Sequence, residues 1–140
     1  MATRTNKEMS YWLTPPELYS KLDQEFNFDF DPCPNPLPIG FDGLKIEWKN
    51  MNYVNPIFRK KDSLSGKDGP TSFARKAIQE QQKGKSSFLT LPTQSYVNLL
   101  LEAGAELRSL GRVKWLEVET KEPMKGPSSI TGFYLKGVKT

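Results

Sequence analysis

The run Tyr53-Val54-Asn55-Pro56-Ile57-Phe58 is apolar and strand-like, and it ends abruptly in an amide, a proline and an aromatic ring. Proline has no N–H to give to a ladder, so the run predicts a strand whose carboxyl end breaks into a loop at Asn55-Pro56. Other segments repeat this design. Phe28-Asp29-Phe30-Asp31 alternates with period two, predicting a strand with Phe28 and Phe30 on one face and both aspartates on the other, and it runs into the loop Pro32-Cys33-Pro34-Asn35-Pro36. Ser87-Phe88-Leu89-Thr90-Leu91-Pro92 reads as a buried strand of the parallel kind. Leu107 to Leu116 and Ile130 to Leu135 predict an antiparallel edge, joined by a long loop from Glu117 to Ser129.

Helices are signalled between these strands. Thr14-Pro15-Pro16-Glu17 has the form of a capping box with prolines in the first turn, and Leu18, Leu22 and Phe26 then share one face of a helix ending near Glu25. Pro70-Thr71-Ser72 opens a second helix with Phe73, Ala74, Ala77 and Ile78 on one face, closed by Gly84. A third runs from about Ser95 through Leu101 and stops near Gly104. The alternation implies an α/β fold with an abbreviated sheet, because residues 37–50 are too few for two full strand–helix units. In doubly wound sheets, ligands bind at the carboxyl ends of strands.

At 140 residues the chain predicts one domain over 11–140 behind a polar tail, Met1 to Ser10, with no room for a separate recognition domain. A hydrophobic content of 36% with 11% aromatics argues against disorder. No apolar run approaches the ~20 residues of a membrane span. The polar tail lacks an apolar leader core, so the expected location is the cytoplasm. One cysteine, Cys33, and no histidine exclude an internal disulfide, a Ser-His triad, a His general base and His-ligated zinc, and no metal is expected. The net charge of +4 leans toward a polyanionic partner.

What remains is chemistry by amide, carboxylate, backbone and cofactor. Asn55-Pro56-x-Phe58 suits methylation of an amine conjugated to a ring, whose nitrogen lone pair is delocalised and a poor nucleophile. The Asn55 side-chain oxygen and the Pro56 carbonyl would each accept one amine N–H, and Phe58 would stack on a base flipped out of a duplex. Asn-Pro is equally a common turn dipeptide. The stretch that follows, with Arg59, Lys60, Lys61 and Lys67, reads either as a phosphate-contacting loop or as a solvated one.

Several short motifs resemble, in order, the landmarks of the small phage-type DNA adenine-N6 methyltransferase family, whose relatives carry Asn-Pro-Pro-Tyr/Phe. They are Trp12-x-Thr14-Pro15, Asp29-x-Asp31-Pro32-Cys33, Asp42-Gly43-Leu44 with Trp48, Asn55-Pro56-x-Phe58, Lys76-Ala77, Leu91-Pro92 and Gly111-Arg112-Val113-x-Trp115. The resemblance covers about residues 11–136. Ile57 departs from it, standing where the family usually has a second proline, which frees one φ angle at a preorganisation loss of roughly 0.4–1 kcal/mol. The resemblance implies a compact Rossmann-like fold, S-adenosylmethionine as cofactor and DNA as partner. It implies catalytic roles for Asn55, Pro56 and Phe58, and cofactor contacts from Thr14, Pro15, Asp31, Pro32 and Asp42. Pro15 equally reads as a helix-start proline, Pro32 as part of a proline-rich turn, and Asp42 as the head of an Asp-Gly turn. Two other functions fit the same residues: a catalytically weak or inactive homologue that binds DNA, or an amino-methyltransferase acting on RNA or protein.

Overall fold

The computed structural model describes residues 13–56, 69–92, 96–111, 113–117, 120–123 and 130–139. The expectations for the tail Met1 to Ser10, for Trp12, for Ile57 and Phe58, for Arg59, Lys60, Lys61 and Lys67, and for Arg112 fall outside the described residues.

Among the described residues seven elements follow one another: α1 (Pro16–Phe26), β1 (Met51–Val54), α2 (Pro70–Gln81), β2 (Ser86–Pro92), α3 (Tyr96–Glu102), β3 (Glu106–Arg108) and β4 (Ile130–Leu135). The four strands form one mixed sheet in the order β1-β2-β4-β3, which makes this a small α/β protein. β1 and β2 are parallel with Tyr53 opposite Phe88, while β4 runs antiparallel to both β2 and β3.

Side-chain alternation assigns two cores. Along the strands, Val54, Leu89, Leu91, Phe133 and Leu135 join Phe73, Ala74 and Ala77 of α2 and Leu100 of α3. Tyr53 and Phe88 point the other way and meet Leu22 of α1, with Leu18, Tyr19 and Phe26 packed against them. Helices therefore cover both faces of the sheet. Gly132 permits the second cluster, because a Cβ there would stand 2.5 Å from the Phe88 ring.

Two expected strands differ from the observed ones. Residues 28–31 make a single parallel bridge, Phe30 to Asn52, instead of a full strand. The Asp29 carboxylate accepts the Met51 N–H (2.8 Å), the group that the next rung would use, and the ladder stops there. Phe28 and Phe30 also part company, Phe28 packing with the Tyr53 cluster and Phe30 with the Val54 cluster. At the other end, the strand paired with β4 is Glu106–Arg108, upstream of most of the expected Leu107–Leu116. Gly111 adopts φ +70°, a left-handed turn beyond which Leu116 makes isolated bridges to Leu13 and Pro123.

Candidate functional site

Period two places Tyr53 and Asn55 on the α1 face of the sheet, and the parallel register sets Phe88 and Thr90 beside them on the same face. Just ahead of α1, Leu13 is pinned by reciprocal backbone hydrogen bonds with Leu116 (3.0 Å each), which holds Thr14 over the end of β1. The segment after the Phe30 bridge brings in Asp31 and Asn35. Between them lies a cavity of about 150 Å³ lined by Leu13, Thr14, Tyr19, Asp31, Asn35, Tyr53 and Asn55.

Three of the site residues expected from the sequence, Thr14, Asp31 and Asn55, thus meet at one cavity although 41 positions separate the first from the last. Pro15, Pro32 and Asp42 do not line it. Pro15 is the N-cap of α1. Pro32 is buried, and its carbonyl lies so near Gly43 that a Cβ there would be 2.0 Å from the oxygen. Asp42 heads a turn, accepting the Leu44 N–H on its carboxylate (2.9 Å) and the Lys45 N–H on its carbonyl (3.1 Å). Pro56 is buried next to Asn55.

Thr14 does not cap α1 as its sequence position suggests. No side chain caps that helix, and Pro15 and Pro16 have no N–H to satisfy. The Thr14 hydroxyl instead hydrogen-bonds the Tyr53 hydroxyl and accepts from Asn55 Nδ2 (3.4 Å). Asn55 is 4% exposed, and its Oδ1 accepts the Thr90 hydroxyl (3.1 Å).

Asp31 is the charged member of the cavity wall. Burial pushes its carboxyl up to about 6, against the opposing effect of the Cys33 N–H that Oδ1 accepts (2.8 Å). No lysine or arginine among the described residues forms an ion pair with it. Burial also raises the Tyr53 phenol, with the Thr14 and Thr90 hydrogen bonds opposing and the Asp31 charge adding, so Tyr53 stays protonated. Tyr19 shifts the same way, first through burial and then through Asp23 and Asp31. Asp29 serves the backbone, taking the Met51 and Asn50 N–H groups.

Tyr19, Asn35, Tyr53 and Thr90 were not singled out from the sequence as site residues. A signal existed for two of them: Tyr53 stands two residues before Asn55, and Thr90 is a hydroxyl inside an apolar strand. Among the described residues no group of three or more His, Cys, Asp or Glu side chains is placed to hold a metal.

The cavity suits a cation. A half-buried carboxylate without a basic partner is stabilised by an ammonium or sulfonium ligand, and the Tyr, Thr and Asn groups supply further polar contacts. Its volume is about half the ~300 Å³ at which pockets begin to hold a whole drug-sized molecule, a size suited to a cationic head group. Compared with protein-family models, curated proteins and solved structures, the chain matches none.

Proposed function

We propose that this chain is an S-adenosylmethionine-dependent DNA adenine-N6 methyltransferase built on a compact Rossmann-like sheet. The observation that carries the reading is the buried Asn55 amide at the carboxyl end of a parallel strand, on the same cavity as the Asp31 carboxylate. When bound, S-adenosylmethionine supplies a methyl group already activated on a sulfonium.

In this reading the chain's own residues do the rest. Asp31 holds the cofactor's ammonium group, with Thr14 beside it and Pro15, Pro32 and Asp42 shaping the surrounding backbone. Asn55 Oδ1 and the Pro56 carbonyl accept the two N6–H bonds of a flipped adenine, localising the nitrogen lone pair for attack. Phe58 stacks on the base, and Arg59, Lys60, Lys61 and Lys67 contact the flanking phosphates. The working location in this reading is the cytoplasm.

The test is transfer of labelled methyl from S-adenosylmethionine to unmethylated DNA, followed by nucleoside analysis, with cofactor binding measured by calorimetry. The expected product is N6-methyladenine, formed on the order of 10²–10³-fold more slowly by Asn55→Ala. Cofactor binding without transfer would assign the chain to the inactive DNA-binding class, and label appearing only in RNA or protein would move the substrate.

A further inference from the structure

Asn55 belongs to a hydrogen-bonded network with Thr90, Thr14 and Tyr53. Thr90 Oγ1 donates to Asn55 Oδ1 (3.1 Å), Asn55 Nδ2 donates to Thr14 Oγ1 (3.4 Å), and the Thr14 and Tyr53 hydroxyls bond each other. Thr90 is 0%, Tyr53 3% and Asn55 4% exposed, so water does not compete for most of the network. With the amide assigned from its partners, its oxygen faces Thr90 and its nitrogen faces Thr14. A hydroxyl has a single proton, and Thr90 uses its own on Asn55. Connected hydrogen bonds of this kind strengthen one another.

The network depends on tertiary structure at every step. Tyr53 and Asn55 face the same way because they are two apart on one strand, Thr90 arrives through the parallel register, and Thr14 is delivered by the bridge at Leu13. An amide oxygen has two lone pairs. By taking one of them, Thr90 fixes the plane of the amide.

We propose that Thr90, through its hydrogen bond to Oδ1, is a positioning residue that holds the Asn55 amide oxygen in line for the substrate amine. This rests on the methyltransferase reading above. Thr90 touches no reacting atom itself. Its contribution is to orientation, where a displacement of about 1 Å costs on the order of 10²-fold in rate.

Thr90→Val keeps the β-branched shape in β2 and removes the donor to Asn55, whereas Thr90→Ser keeps the donor. Single-turnover methyl transfer should fall about 10²-fold in Thr90→Val, with cofactor affinity unchanged, and Thr90→Ser should recover most of the rate. The Asn55 side-chain NH₂ resonances of ¹⁵N-labelled protein should move in Thr90→Val and in Tyr53→Phe, and stay near their wild-type positions in Thr90→Ser. Melting temperatures are recorded for every variant. A wild-type rate in Thr90→Val, unmoved Asn55 resonances, or equal slowing in the Val and Ser variants in step with lost stability would each overturn the positioning role alone. A wild-type protein that transfers no methyl to DNA would overturn the function reading, and this role with it.

Discussion

The protein buries two carboxylates in opposite ways. Glu80, on α2, is 0% exposed and charge-compensated: its Oε1 accepts the Trp48 N–H (2.5 Å), Lys83 Nζ stands 3.1 Å from Oε2, and Lys76 and Lys85 lie at 3.7 and 3.9 Å from Oε1. Burial pushes its pKa up, but the Trp48 amide and the three lysines outweigh that, and the net shift is downward. Asp31 has one backbone N–H and, among the described residues, no cation; its pKa is raised. A compensated charge is part of the architecture, tying α2 to the segment before β1. An uncompensated one beside a cavity is set up for a ligand.

Removing the compensated charge should have the largest effect. Glu80→Ala leaves the buried Trp48 N–H unpaired and three lysines facing one another, and unfolding in urea should show a loss of about 3–5 kcal/mol. A loss below 1 kcal/mol, on the scale of an exposed pair, would erase the contrast.

Next comes Asn55→Ala, expected to slow methyl transfer on the order of 10²–10³-fold, the scale of deleting one polar contact to the developing charge. The Thr14 and Thr90 hydrogen bonds tie this side chain to the fold: alanine strips partners from both, so a stability loss of about 1–3 kcal/mol should accompany the rate loss. Melting curves alongside single-turnover rates separate the two effects.

Asp31→Asn sharpens the comparison, because it should stabilise the protein while destroying ligand binding. A carboxyl raised from its ordinary 3.8 to about 6 opposes folding when ionised. The penalty is complete above about pH 6, fades as pH falls toward 4, and amounts to roughly 3 kcal/mol at most. Urea unfolding of the ligand-free protein should therefore show Asp31→Asn more stable than wild type at pH 7.5, the gap closing near pH 4. Calorimetry should show its affinity for S-adenosylmethionine lost. Glu80 carries the opposite sign: its lowered pKa makes its stabilisation complete above the ordinary carboxylate range and lost as pH falls through the folded value. Equal stability of the two Asp31 forms at pH 7.5 would mean that the charge is already compensated.

The smallest effect is expected for Lys76→Met. Two other lysines still face Glu80, so chemical denaturation should register no more than about 1 kcal/mol.

The sequence by itself determined the local matters. Proline and glycine punctuation placed α2 between Pro70 and Gly84, where Pro70–Gln81 is observed, and apolar runs placed β2 and β4 within a residue or so, because these signals act between near neighbours along the chain. It also marked Thr14, Asp31 and Asn55 as residues of interest. Only the tertiary structure decided what each of them touches. Thr14 reads locally as a cap, yet its hydroxyl is drawn 39 residues away to Tyr53, since two adjacent prolines leave it little to cap. Residues 28–31 alternate like a strand, yet the ladder ends after one bridge because the Asp29 carboxylate takes the next amide. Asp29 and Asp31 share one face of the same alternating pattern, and what divides them physically is that one meets backbone N–H groups at the chain surface while the other is desolvated at a cavity. Desolvation and long-range hydrogen bonding depend on which segments fold against one another, and no local pattern encodes that.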